Sequence, residues 1–368
     1  MFPEQKMMMR YSGVGRLFGL ITVACSLALT PVLQATADDS ATTSAARPAD
    51  SNEGSRARSP VWALNDDVAG KLQVVTARYE DTFAEIGHQR SLGYLELVKA
   101  NPGVDPWLPG EGSRITLPRQ YVLPDSSREG IVINLAEYRL YYFRDGGVQV
   151  FPVGIGREEN PSPITDARVT MGLESPAWYP PASIRASYEA SGEYLPRMIP
   201  PGPDNPLGSH ALLLSAESYL IHGTNKKFGI GMQVSAGCFR MYNEDISRFV
   251  YEVEKGTPVQ IIRQPVKIGM SGGQVWLEVH RAGEDYPEDE RDRLWTEVSN
   301  VLRNYTESVE NLEIQRGAVE LAVDQADGIP RMIGERVAQL AASEAPADDR
   351  SEAQQGERRE QPTPQLWF

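Results

Sequence analysis

Between Gly130 and Arg263 the chain is a succession of short β-branched and aromatic runs separated by turn residues, a pattern that suits a sheet-based domain. Ile131-Val132-Ile133-Asn134 and Arg139-Leu140-Tyr141-Tyr142-Phe143 lead into Asp145-Gly146-Gly147, a hairpin signal, and then Val148-Gln149-Val150-Phe151. Ala211-Leu212-Leu213-Leu214, Tyr219-Leu220-Ile221-His222 and Pro258-Val259-Gln260-Ile261-Ile262 continue the series. A helix is expected from Asn243 to Val253, with Asn243 at its cap. Thr170 to Pro206 breaks the rhythm: it is dense in proline and has no clean period. Long irregular segments inside a domain are commonly functional loops, so a lid is expected there.

The flanks read differently. Leu72 to Pro118 gives a strand at Val74-Val75, helices at Thr82–Gly87 and Leu92–Ala100, the breaker Asn101-Pro102-Gly103, and a closing strand Arg114–Pro118. Val266 to His280 gives one or two strands. From Glu288 to Leu321 apolar residues recur three or four apart (Leu294, Val298, Val301, Leu302, Tyr305, Val309, Leu312), which predicts one packing helix or a pair. Its polar face is acidic, unlike that of helices lying on membranes. Residues 38–60 and 341–368 are too polar to bury much surface, and a flexible linker and a disordered tail are expected.

At the start, Lys6, Arg10 and Arg16 precede an apolar run from Leu17 to Leu33. Ala35-Thr36-Ala37 then fits the small-x-small rule for signal cleavage before Asp38. Lipidation at Cys25 is the weaker alternative, because Thr22 stands where such signals carry leucine. A formal charge of −14 argues against nucleic acid as a partner, since phosphate binding relies on clustered Lys and Arg. The chain has 2 cysteines, and cleavage leaves Cys238 without an intramolecular partner. In an oxidising compartment a lone thiol is a liability unless it performs some chemistry.

The neighbours of that thiol carry the chemistry. Ile221-His222-Gly223-Thr224 is followed, after a loop, by Ser235-Ala236-Gly237-Cys238-Phe239-Arg240-Met241-Tyr242-Asn243. A thiol attacks as thiolate and needs a neighbouring base, which His222 at a strand end can supply. The pair is expected as thiolate and imidazolium, forming well below the pH at which free cysteine ionises. Small residues before Cys238 leave room for a carbonyl, and the backbone N–H groups beside it can stabilise an oxyanion. His210, one strand earlier, is a rival imidazole or substrate contact, while His88 and His280 read as surface or packing residues. The four histidines and the thiol have no metal-ligand spacing, so neither a metal nor a cofactor is expected.

The motifs Asn-Pro-Leu-Gly at 205–208, Ile-His-Gly-Thr-Asn at 221–225, Phe-Gly-Ile-Gly at 228–231 and Ser-x-Gly-Cys-x-Arg-x-x-Asn at 235–243 resemble those of the L,D-transpeptidases with the YkuD catalytic fold, in particular the periplasmic Gram-negative branch. Ala236 stands where many members have a second histidine. The β-α-α-β segment, with its Ala-Asn-Pro turn and Ile-x-Leu-Pro strand, resembles a LysM glycan-binding module. The resemblance implies a mainly β catalytic domain over 128–265, a YkuD-like β-sandwich with a few helices. It also implies a small α/β LysM-like module over 61–120; a strand and helical extension then fills 266–335. It implies Cys238 as nucleophile, His222 as base, the Gly223 carbonyl orienting the imidazole, and backbone N–H groups near Gly237 and Cys238 as oxyanion donors. Arg240 is implied as a carboxylate clamp and Asn243 as a brace, with Ser235 and His210 as further substrate-side candidates. The substrates would be peptidoglycan stems and glycan, with a second stem or an outer-membrane lipoprotein as acceptor. Two other readings compete. A sortase-like transpeptidase also orders His, Cys, Arg, but with wider spacing; a non-catalytic glycan-binding anchor would have no use for the thiol.

Overall fold

The computed structural model describes residues 59–283 and 285–337. The expected leader, nearly all of the linker and the tail lie outside the described residues. Three short strands come first, β1 (Val61–Ala63), β2 (Val68–Gly70) and β3 (Gln73–Thr76), then helices α1 (Phe83–Arg90) and α2 (Tyr94–Ala100), then β4 (Arg114–Leu117) and β5 (Gln120–Val122). The central strands are β6 (Gly130–Asn134), β7 (Arg139–Arg144), β8 (Gly147–Pro152), β9 (Ile155–Gly156) and β10 (Thr165–Glu174). After α3 (Ala182–Ala190) come β11 (His210–Leu214), β12 (Leu220–His222), β13 (Gln233–Ser235), β14 (Phe239–Arg240), α4 (Asn243–Glu252) and β15 (Pro258–Ile262). The chain continues through β16 (Val266–Ser271), β17 (Gln274–Val279), α5 (Glu288–Ser308), β18 (Leu312–Ile314), α6 (Arg316–Gln325) and β19 (Arg331–Arg336).

The large sheet runs β1-β8-β7-β6-β15-β10-β11-β12-β14. Its hairpin β7–β8 turns on Asp145 and Gly146, both at positive φ (48° and 70°), the two-residue geometry that matches strand twist. The central strands are buried on both faces, and successive residues part to opposite sides. Ile131, Ile133, Leu140 and Tyr142 enter one apolar cluster, while Val132, Tyr141 and Phe143 enter another. The first face is covered by α4 through Ile246, Phe249 and Val250, and by the 83–117 segment through Phe83, Leu92, Leu97 and Leu117. The second is covered by Ala69 and Tyr121 from the β2–β5 pair and by Leu123 just after it.

The structure departs from the sequence expectations in three places. β1 pairs with β8, so Val61–Ala63 joins the edge of the large sheet instead of a separate N-terminal unit. The 266–335 stretch is not only helical past its first strands: β16-β17-β19-β18 form an antiparallel sheet on which α5 and α6 pack. Leu312 lies in β18, because Asn311 at φ 59° turns the chain out of the helical path. Within the proline-dense segment, β10 reaches Glu174 and α3 forms despite burying no residue. Neither was visible to periodicity, since β10 buries only Ala167 and Val169 and α3 has no core-facing stripe.

A buried ionic cluster joins the three parts. Arg139 on β7 binds Glu137 (2.8 Å), Glu278 on β17 (2.6 Å) and Glu96 on α2 (2.7 Å). Lys267 on β16 binds Glu137 (2.9 Å), Glu278 (3.2 Å) and the Val122 carbonyl (2.6 Å). His280, expected as a surface or packing residue, is buried here and lies 2.7 Å from Glu278. Burial pushes the Glu137 and Glu278 carboxyls up, but Lys267, Arg139 and His280 outweigh it and hold both below the usual carboxylate range. Glu137, Glu278 and His280 bring ligand atoms within 4.8 Å of one another, yet two protein cations already bind those carboxylates.

Candidate active site

β12 and β14 run parallel, with Ile221 opposite Phe239 and His222 opposite Arg240. Ile221 and Phe239 are fully buried on the core face, so His222 and Arg240 share the other face. Cys238 lies in the bend just before β14, two residues ahead of Arg240, and its thiol lies 3.6 Å from the Ser218 carbonyl. Strand pairing thus sets the His222 imidazole beside the Arg240 guanidinium, whose charge acts on both that ring and the Cys238 thiol.

His222 is buried, and its Nδ1 lies 2.6 Å from the Gly223 carbonyl. A carbonyl only accepts, so Nδ1 carries the proton and Nε2 keeps its lone pair. Burial, and then the Arg240 charge, lower the imidazole pKa to about 4, while the Gly223 and Leu207 carbonyls pull it upward. Burial pushes the Cys238 thiol up, against the Leu220 backbone and Arg240. With the thiol raised and the imidazole lowered, burial favours the neutral form of each. Desolvation thus opposes the thiolate–imidazolium pair that sequence proximity suggests, because it penalises both of its members.

The Arg240 guanidinium is half-buried, and its Nε is buried without a hydrogen-bond partner. Burial lowers its pKa, opposed by Cys238. The loop before the thiol is tightly tied. Ser235 Oγ donates to the Cys238 carbonyl (2.6 Å) and accepts from the Gly237 amide (3.1 Å). Gly237 sits at φ +113°, where a side chain would be strained and its Cβ would approach Tyr219 Cε1 at 3.1 Å. Asn243 is not the cap of α4; Tyr242 is, and the Asn243 side chain is used elsewhere. Its Oδ1 accepts from the Ser209 and Thr224 amides (both 3.1 Å) and its Nδ2 donates to the Thr224 carbonyl (2.7 Å), bracing the loop after His222.

His210 is not brought into this group. Ala211 is the partner of His222 across the sheet, so His210 points to the opposite face, where it meets Ser209 (2.9 Å) and Tyr251 (5.7 Å between rings). His88 is on α1, 3.2 Å from Glu244 and edge-on to Tyr242. Three residues near the site escaped the sequence reading. Leu207 acts on His222 through its carbonyl; buried Asn205 accepts the Leu207 amide (2.8 Å) and donates to the Pro176 carbonyl (2.8 Å), tying the proline-rich segment down. Ser162 reaches the Gly237 carbonyl from the β9–β10 connection. The motif at 205–208 was a signal for the first two; nothing local marks Ser162. A surface cavity of about 430 Å³ lined by Asp66, Asp67, Arg128 and Met270 shares no residue with the thiol's surroundings. No helix among the described residues is long and apolar enough to cross a membrane.

A family model described as an L,D-transpeptidase catalytic domain, YkuD, matches residues 128–261. The chain is 38% identical over 268 residues to "Probable L,D-transpeptidase YcfS" of Escherichia coli K12, covering 71% of this chain and 79% of the relative. It is 40% identical over 261 residues to "Probable L,D-transpeptidase ErfK/SrfK" of the same organism, covering 69% and 81%. It is 43% identical over 219 residues to "Probable L,D-transpeptidase YbiS", covering 58% and 71%. The matched region contains the strand pair that carries His222, Cys238 and Arg240, and the alignments extend over most of each relative's length. The chain therefore belongs to the L,D-transpeptidase family, with a YkuD-type catalytic domain.

Proposed function

We propose that the protein is a periplasmic peptidoglycan L,D-transpeptidase working through a thioester on Cys238. The observation that carries this reading is the pairing of His222 with an incompletely paired Arg240 across β12–β14, with the Cys238 thiol within reach of that guanidinium's charge. His222 Nε2 takes the thiol proton as sulfur attacks the carbonyl that follows the diamino acid of a tetrapeptide stem. A C–S bond forms and the carbonyl becomes an oxyanion. Collapse breaks the C–N bond to D-Ala, whose amine leaves with the proton held by His222. An acceptor amine then attacks the thioester, its proton passing through His222 to the departing sulfur. The Gly223 and Leu207 carbonyls favour the imidazolium formed midway, at a site where burial disfavours it. Arg240 suits a stem carboxylate by its planar fork, with Ser235 and Asn243 holding the loops on either side.

The acceptor is a second stem, giving a cross-link, or a lysine of an outer-membrane lipoprotein. The 72–118 segment, in which β3-α1-α2-β4 occur in LysM-like order, is the proposed glycan contact, and the proline-rich segment tied down by Asn205 is the proposed lid. Incubation with disaccharide-tetrapeptide is expected to release D-Ala and give a peptide-linked dimer. Alkylated protein should still sediment with peptidoglycan but release no D-Ala. Absence of both products from the untreated enzyme would refute the activity, and sedimentation without turnover in either form would favour the anchor reading.

A pH profile tests the resting state. Iodoacetamide should modify Cys238 with a rate that climbs through the alkaline range, because burial raises the thiol. Replacing His222 with Ala should leave that profile nearly in place while slowing acyl transfer about 10²–10⁴-fold. A plateau of rapid alkylation below pH 7, lost in the His222 variant, would instead establish a preformed ion pair.

A further inference from the structure

We propose that Ser162 is a positioning residue for acyl transfer, aiming the Cys238 amide N–H at the oxyanion by anchoring the Gly237 carbonyl; this rests on the reading of Cys238 as the acylated nucleophile. Ser162 is buried, and its hydroxyl donates to the Gly237 carbonyl at 2.8 Å across 75 residues of chain. The same oxygen accepts from the Gly156 amide at 3.0 Å, so both its donor and an acceptor position are used and its orientation is set. A trans peptide is planar, with its C=O and N–H pointing in opposite directions. No cis peptide occurs among the described residues. Fixing Gly237 C=O towards Ser162 therefore fixes the Cys238 N–H on the other side of the loop.

The surrounding contacts leave this peptide little freedom to turn. The Arg157 amide donates to the Ser235 carbonyl at 3.0 Å, and β9 pairs with β13 through Gly156 and Ser235. Gly156 lies so close that an added Cβ would stand 2.9 Å from Gly237 Cα and 2.6 Å from the Ser162 amide nitrogen. Gly237 itself, at φ +113°, has the broad backbone freedom of glycine and would rotate readily if unanchored. Ser162 thus holds the carbonyl of the glycine next to the nucleophile, while Ser235 holds its amide. An oxyanion donor contributes only when it is already directed at the developing charge.

The chemistry separates this role from simple structural support. Acylation by a β-lactam passes through an oxyanion: sulfur bonds to the lactam carbonyl, the ring C–N bond breaks, and the thiol proton ends on the ring nitrogen. Alkylation by iodoacetamide is a displacement at a saturated carbon and forms no oxyanion. Ser162→Ala should slow acylation by a carbapenem about 10–100-fold, while Cys238 alkylation by iodoacetamide stays within about twofold of wild type. Ser162→Thr, which keeps the hydroxyl, should restore acylation. Should Ser162→Ala not fold, Ser162→Cys supplies a longer and weaker donor, with peptide mapping to confine the readout to Cys238. The proposal is overturned if the alanine variant acylates at the wild-type rate, if both reactions slow equally, or if threonine does not rescue. Should the wild type take neither label at Cys238, the nucleophile assignment fails instead.

Discussion

Cys238→Ser is expected to fold as the wild type does and to lose D-Ala release by about four orders of magnitude. The substitution keeps a donor for the Ser218 carbonyl and removes little volume, so the loop has no reason to move. What changes is the ease of ionisation. The thiol is already raised by burial, and a hydroxyl in the same surroundings lies far beyond the reach of an imidazole whose pKa is about 4. A serine of this kind is activated in other enzymes by a base oriented through a carboxylate. Here the imidazole Nδ1 meets a neutral backbone carbonyl, that of Gly223. Intact mass after carbapenem treatment is the direct measurement: wild type gains one adduct, the variant none. The same adduct on the serine variant would place the nucleophile elsewhere.

The largest effect on stability is expected from Arg139→Met. Arg139 is buried and holds Glu96, Glu137 and Glu278 together. Removing it leaves Lys267 and His280 to balance buried carboxylates, at a cost of about 3–5 kcal/mol. For a chain of this size that corresponds to a fall of about 10 °C in melting temperature. The exposed pair Arg291–Asp324 provides the control, where Arg291→Met should leave the melting temperature nearly unchanged. Because the Glu137 and Glu278 carboxyls are depressed, their contribution is full above the ordinary carboxylate range and is lost as pH falls through their lowered values. The gap between wild type and Arg139→Met should therefore narrow in strong acid. Equal melting temperatures for the two substitutions would show that the cluster is not what joins the three parts of the fold.

Much of the site was legible because its signals are local. The residues around His222 and Cys238 lie in short motifs whose composition suits one chemistry, and the Asp145-Gly146 turn needs two residues at positive φ, which that pair supplies. The β-branched runs that became β6, β7, β8, β11 and β15 were visible for the same reason: each carries its own preference for an extended, buried conformation. β10 and α3 were not, since their conformations are imposed by neighbours. β10 is held between β11 and β15, and α3 sits within a segment that Asn205 anchors through backbone carbonyls.

The sequence by itself determined which atoms are available for chemistry: one thiol in the motif, one imidazole at a strand end, one guanidinium two residues beyond the thiol. Tertiary structure alone decided how those atoms behave. The parallel pairing of β12 with β14 puts the imidazole and the guanidinium on one face and leaves His210 on the other, and burial favours the neutral thiol and imidazole where proximity alone suggested charges. It also assigned Ser162 to the Gly237 carbonyl and Glu278 to Arg139, partners 75 and 139 residues apart. Local preference is written in neighbouring side chains. Desolvation and long-range hydrogen bonding depend on what the rest of the chain excludes or delivers, and that exists only once the chain has folded.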